Sequence, residues 1–145
     1  MNGEMTWTEV KRTVAAARFR ALATVDEDGE PRVTPIGSVV LTAEGRGFYF
    51  EDDAAVLPGG LERAQELAIL AVGGEGSWLR RVLRGALPPG PALRIKVRAG
   101  RRRAATAAER TLRLAGAGLV GRSVRFVREF TVQGVTPVHL GAMLK

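Results

Sequence analysis

The sequence predicts a mainly β protein: an antiparallel sheet of about six strands, closed or partly closed into a barrel, with helices at its periphery. Three observations carry that expectation. Apolar residues recur with period two in several short segments. The joins between those segments are rich in turn-forming residues and of hairpin length. The regular strand–helix–strand alternation of a doubly wound parallel sheet is missing. A barrel is the economical way for such a sheet to hide its edges.

Thr6-Trp-Thr-Glu9 has the form of a capping box, in which a hydroxyl and a carboxylate satisfy each other's backbone donors. Trp7, Val10, Val14 and Ala17 then share one helical face, so a helix is expected over Thr8 to Ala17, set as a lid on a barrel end. From Phe19 the period changes. Phe19, Ala21, Ala23 and Val25 alternate with Arg20, Leu22 and Thr24. Asp26-Glu-Asp-Gly-Glu-Pro31 is a turn with Gly29 supplying positive φ. Val33 to Leu41 reads as a long second strand, which completes a hairpin. Pro35 inside it cannot donate to a ladder, which points to an edge, a bulge or backbone turned toward a ligand. Gly37 eases close approach of a ligand or strand.

Glu44-Gly-Arg-Gly47 marks a turn before a third strand, Phe48-Tyr49-Phe50. Asp52 to Gly60 reads as loop, Leu61 to Leu67 as a helical turn, and Leu67 to Val72 as a buried fourth strand. A short helix is expected over Ser77 to Leu83, stopped by Gly85 and the Pro88–Pro91 stretch. Leu93, Ile95 and Val97 alternate with Arg94, Lys96 and Arg98, a half-buried strand with one basic face. Thr106-Ala-Ala-Glu109 is a second capping box. It opens a helix with Ala108, Leu112, Ala115 and Leu119 on one face and Gly121 as its cap. Val124 to Val132 is the last clear strand, and Pro137 to Leu140 adds a short one. No repeat or linker divides the chain, so residues 1–145 are expected to form one domain.

At 46% hydrophobic and 26% charged, the 145-residue composition is that of a globular protein. The chain has no cysteine, which excludes disulfides and thiolate chemistry. Its apolar runs are too short to cross a bilayer, and the N-terminal residues lack the apolar core of a secretory signal. A cytoplasmic protein with no membrane attachment is expected. Charge is uneven: residues 1–76 carry a net −6 and residues 77–145 a net +13. Such polarity attracts nucleic acid or phosphate-bearing ligands, or is neutralised when the halves meet in the fold or in a dimer. No helix-turn-helix, zinc-finger or ribonucleoprotein motif accompanies it.

Ala21 to Gly37, Ala-Leu-Ala-Thr-Val-Asp-Glu-Asp-Gly-Glu-Pro-Arg-Val-Thr-Pro-Ile-Gly, closely resembles the first hairpin of pyridoxamine 5'-phosphate oxidase-like proteins. Gly47-Phe-Tyr-Phe50 resembles that family's third strand. Trp78 to Gly85, Pro88 to Ile95 and Arg101 to Glu109 are similar to pieces of a poorly characterised branch, in the same order. The resemblance implies a six-stranded antiparallel split barrel of Greek-key type. It implies a homodimer with flavin mononucleotide (FMN) in the subunit cleft, acting as an oxidoreductase on a small molecule.

In that family the second strand offers backbone groups to the flavin ring, which here maps onto Thr34, Pro35, Ile36 and Gly37. The third-strand end and following loop hold the phosphate, here Tyr49, Phe50 and the residues onward to Gly60. The family places serine, lysine and asparagine in this segment. This chain has Ala54, Val56 and Gly60, with Glu51, Asp52 and Asp53 adding negative charge. Carboxylates repel a phosphate, so Arg63, Arg80 or Arg81 and the Arg94, Lys96, Arg98 face are the candidate replacements. Two functions follow: an FMN-dependent oxidoreductase, or a split barrel that has lost FMN and serves as a binding module. The module's ligand would be nucleic acid or another anion, held by the basic C-terminal half. Haem and deazaflavin serve relatives of the same fold, which leaves the cofactor open.

Other chemistry finds little support. His139 is the only histidine and has no serine or cysteine motif around it, which argues against a hydrolase and a transition-metal site. Glu51, Asp52 and Asp53 read better as a solvated loop cluster than as a hard-cation site. Trp78 reads as an anchor for its helix sooner than as a stacking platform. Tyr49 can face either the barrel or the cleft.

Overall fold

The computed structural model describes residues 5–17, 19–25, 28–51, 65–73, 91–111 and 126–139. The helix α1 (Trp7–Ala16) opens with the capping box read from the sequence. Thr6 N donates to Glu9 Oε2 at 2.7 Å, and Glu9 N donates to Thr6 Oγ1 at 3.3 Å. Its buried stripe is Val10 and Val14. Its last carbonyls are capped from the next strand: Arg20 donates to Val14 O at 2.8 and 3.2 Å and to Ala15 O at 3.2 Å. Cationic groups at a helix C-terminus satisfy orphan acceptors and complement the dipole.

Among the described residues seven strands follow: β1 (Phe19–Val25), β2 (Pro31–Pro35), β3 (Val39–Leu41), β4 (Arg46–Glu51), β5 (Glu66–Val72), β6 (Pro91–Ala104) and β7 (Phe126–His139). They form one antiparallel sheet in the order β2-β1-β5-β6-β7-β4-β3. The single long strand expected over Val33 to Leu41 is therefore two segments at opposite edges of the sheet. Only residues 36–38 join them. Laid flat, seven strands would separate the edges by about 29 Å, whereas that link reaches at most about 14 Å. The sheet has to curl into an open, split barrel, with its split between β2 and β3.

Pro31 and Pro35 fit because of register. Ile36 N donates to Arg20 O at 3.0 Å, so alternate β2 residues outward from that bond lie at non-hydrogen-bonded positions. Pro31, Val33 and Pro35 are those residues, and their missing or spare donors point away from β1. The β1–β2 turn uses Gly29 at φ +79°, as the sequence requires. The last strand absorbs the separate segment expected at Pro137 to Leu140 and runs unbroken to His139.

The barrel interior and the α1 lid form one core. It contains Val10, Val14, Leu22, Val39, Tyr49, Ile69, Ile95, Val97 and Phe130, among others. A second cluster, Phe48, Phe50, Ala105 and Val127, lies on the opposite face of β4 and β7. Tyr49 therefore faces the barrel, stacked on Phe130 with ring centroids 6.5 Å apart. Among the described residues no helix is long and apolar enough to cross a membrane. Ala54, Val56, Gly60, Arg63, Trp78, Arg80, Arg81 and Gly121 lie outside the described residues.

Candidate functional site

Alternation fixes what the outside of the barrel presents. Leu22, Leu67, Ile69, Ala71, Leu93, Ile95 and Val97 belong to the interior core, so their strand neighbours face out. Register then sets those outward residues in cross-strand rows. Pro35, Ala21, Leu70 and Arg94 make one row; Val33, Ala23, Ala68 and Lys96 make the next. Pro31 and Val25 run on toward Glu66 and Arg98, and Phe19 stands beside Val72. The result is an apolar floor across β2, β1 and β5 with a cationic rail along β6. Parts of this floor are open: Phe19 is 48% exposed, Val25 58% and Val33 71%. Exposed contiguous apolar surface of this kind marks an interaction or ligand site.

The outer edge of β2 adds backbone chemistry. The carbonyls of Pro31, Val33 and Pro35 point outward, but only Val33 supplies an N–H, because its two neighbours in that set are prolines. Of the residues mapped to the flavin ring, Pro35 and Gly37 are exposed, Thr34 is half-buried toward the interior and Ile36 is buried. Arg94 is exposed at the far end of Pro35's row. Tyr49 and Phe50 are not with them: both are buried, one in each core. Arg63 and Arg80 lie outside the described residues. The outer row thus brings Pro35 and Arg94 onto one face and leaves the third-strand pair behind it.

A second polar constellation lies at the barrel end, and the sequence reading missed it. Glu51, expected in a solvated loop, is the last residue of β4, with its side chain 0% exposed. Its Oε1 lies 3.1 Å from Arg128 Nη2, and its Oε2 lies 3.0 Å from Arg102 Nε. Arg128 also donates to Gly100 O at 3.2 Å. A bulge positions Arg102: Ala99 pairs with Phe130, yet Arg102 pairs with Arg128, so β6 carries one extra residue. Arg102 instead of Arg101 thereby faces Arg128, and its guanidinium lies 4.1 Å from the Phe126 ring centroid. Tyr49 is directly opposite Arg128 in register. Its hydroxyl is fully buried beside that guanidinium without a well-formed hydrogen bond. Burial, and then the Glu51 charge, push the phenol well above its usual range. The findable signal was Phe126-x-Arg128-x-Phe130, an arginine sharing a strand face with two aromatics.

On the opposite face of β7, Arg103 is held by two carboxylates. It donates to Glu109 at 2.7 and 2.8 Å and to Glu129 at 2.6 Å. Glu109 also closes the second capping box by accepting from Thr106 N at 2.8 Å. The Arg103 hydrogen bonds, foremost, hold the Glu109 carboxyl down at about 2. This network lines a cleft of about 540 Å³, and α1 with the end of β7 borders another of about 760 Å³. Among the described residues, none of those mapped to the flavin lines either cleft.

A family model described as pyridoxamine 5'-phosphate oxidase matches residues 6–130. The chain belongs to the pyridoxamine 5'-phosphate oxidase family. No functionally curated protein matches it. Among solved structures, HupZ of Group A Streptococcus is 19% identical, with 94% of this chain and 96% of that one covered and a TM-score of 0.61. An FMN-binding protein from Syntrophomonas wolfei is 13% identical, covering 92% and 88%, with a TM-score of 0.63. HutZ, a heme storage protein from Vibrio cholerae, is 16% identical, covering 92% and 94%, with a TM-score of 0.52. At these identities the likeness is one of fold. The solved structures of similar fold thus include one named for FMN binding and one named for heme storage.

The outer face, tested against FMN, fits it. A flat ring needs an apolar floor and a few backbone polar groups, which β1, β5 and the β2 edge provide. A phosphate needs a cation, and Arg94 ends the same row. The barrel end does not fit a phosphate, because the Glu51 carboxylate already lies between its two guanidiniums.

Proposed function

We propose that this chain is an FMN-binding flavoprotein that acts as an oxidoreductase on a small molecule, with the cofactor on the outer face between two copies. The observation that carries this reading is the row Pro35–Ala21–Leu70–Arg94, an apolar floor ending in an exposed cation. An amphipathic cofactor with an aromatic ring and an anionic tail matches that order. The row spans three strand spacings, about 14 Å. When bound, the flavin supplies the hydride chemistry. The chain holds and orients it: Val33 N–H and the neighbouring carbonyls meet the ring edge, and Arg94 meets the phosphate.

The second copy is proposed on the same face. Phe19, Val25 and Val33 lie open there, and burying them is favourable at roughly 25 cal/mol per Å². The acidic β1–β2 turn, with Asp28 and Glu30, and the basic β6 rail are opposite charges that an isologous pairing can bring together. Cytoplasmic location belongs to the same proposal.

Glu51 favours a second reading, the barrel that has lost FMN and binds another anion or nucleic acid through its basic half. The carboxylate occupies the strand end onto which the family's phosphate segment maps. One experiment separates the two. The purified protein is scanned for flavin absorbance and then titrated with FMN. Co-purifying flavin bands, or uptake of one FMN per subunit, support the flavoprotein. A colourless protein that takes up none at micromolar FMN supports the cofactor-free module.

A further inference from the structure

We propose that the cleft between α1 and the far end of β7 binds a small organic cation, an apolar body whose ammonium head is held by Glu44. The proposal goes beyond the flavin reading, since none of the described residues mapped to the flavin lines this cleft.

The cleft exists because β7 outruns its neighbour. β4 begins at Arg46, opposite Thr131, and Val132 N then donates to Gly45 O at 2.7 Å. Beyond that bond β7 continues to His139, and among the described residues no strand continues β4 beside it. A bulge marks the change. Val97 pairs with Val132 but Lys96 with Gly134, so Gln133 is an extra residue. On β6, Ala99 N donates to Gln65 O, so odd-numbered residues there bond toward β5 and even-numbered ones toward β7. Gly134 and Thr136, opposite Lys96 and Arg94, therefore bond to β6, while Val135 and Pro137 turn their backbone groups to the other side.

The space between that edge and α1 is about 760 Å³, within the roughly 300–1,000 Å³ of small-molecule sites. Trp7 and Val10 of α1 and Val135 and Pro137 of β7 supply apolar walls, and Glu44 and Gln133 add polar groups. The half-buried Trp7 ring is fixed, because its Nε1 donates to Thr42 O at 3.2 Å. An indole face is the best aromatic platform for a cation. The polar groups run to acceptors. Pro137 brings a carbonyl without an N–H, Glu44 brings an exposed carboxylate, and the Trp7 N–H is already given to Thr42. A ligand that complements this set carries donors and positive charge on an apolar body. An anion is disfavoured, because Glu44 repels it.

The test is titration calorimetry at neutral pH with 2-phenylethylammonium and with 2-phenylethanol, a neutral probe of similar shape. Wild type is expected to bind the ammonium one to one and the alcohol about tenfold more weakly. Glu44→Gln, a change at an exposed turn residue, is expected to bind the ammonium about tenfold more weakly than wild type and to discriminate little between the probes. In Trp78→Phe, where Trp7 is the remaining tryptophan, the ammonium is expected to change the emission with the same midpoint. If Trp78→Phe does not fold, the two indole N–H resonances of wild type are followed by NMR instead, and one of them is expected to move. No heat with the ammonium at millimolar concentration, equal binding of both probes by wild type, unchanged ammonium binding in Glu44→Gln, or an indole signal that does not respond overturns the proposal.

Discussion

Glu51 and Arg128 meet 3.1 Å apart across 77 residues of sequence, with both side chains withdrawn from solvent. Breaking such a pair strands a buried charge, whereas replacing both members by apolar groups removes the cost. Arg128→Met alone is expected to lower unfolding free energy by about 3–5 kcal/mol. Glu51→Leu/Arg128→Met is expected to recover most of it. Urea denaturation of the two single variants and the double gives the cycle.

Glu109 predicts an acid limb. Its carboxyl is held at about 2 in the fold, well below the 4.5 of an ordinary glutamate. A depressed carboxylate stabilises the fold fully above its unfolded value, and that contribution is lost as pH falls through the folded one. Stability should therefore drop between about pH 4.5 and pH 2. Glu109→Gln keeps a capping side chain but loses the charge, so its denaturation midpoint should vary less across that window.

Gly47 is required by contact. A Cβ there would lie 2.6 Å from Phe130 Cζ and 2.7 Å from the Val40 carbonyl oxygen. Gly47→Ala should cost about 1–3 kcal/mol through overpacking. Gly37→Ala, with no atom within 4 Å of its added Cβ, should be near neutral. Parallel urea titrations distinguish the two.

These three sites mark where local sequence reading succeeds and where it stops. Both capping boxes, at Thr6–Glu9 and Thr106–Glu109, were legible because all their partners lie within three residues. The basic face of β6 was legible because alternation alone sets Arg94, Lys96 and Arg98 on one side. The break of the second strand at 36–38 was only half legible: Pro35 announced an edge, but the far-edge pairing of β3 with β4 is a long-range fact. The barrel-end cluster was not legible. It depends on a bulge that selects Arg102 over Arg101, and on register between strands far apart in the chain. Glu51, read beside Asp52 and Asp53, looked like part of a solvated acid run.

The open outer face predicts assembly. Val33→Glu places a charge on the proposed contact without touching either core. Sedimentation should show the wild type as a dimer and Val33→Glu as a monomer with unchanged circular dichroism. A monomeric wild type would contradict the shared-face arrangement.

The most direct test of the account is an FMN titration followed by flavin fluorescence, run on wild type and Arg94→Ala. Saturable binding of one FMN per subunit is expected, weakened about tenfold or more in Arg94→Ala as a charged hydrogen bond to phosphate is lost. Wild type that leaves the flavin signal unchanged, or an Arg94→Ala variant that binds as tightly as wild type, would contradict it.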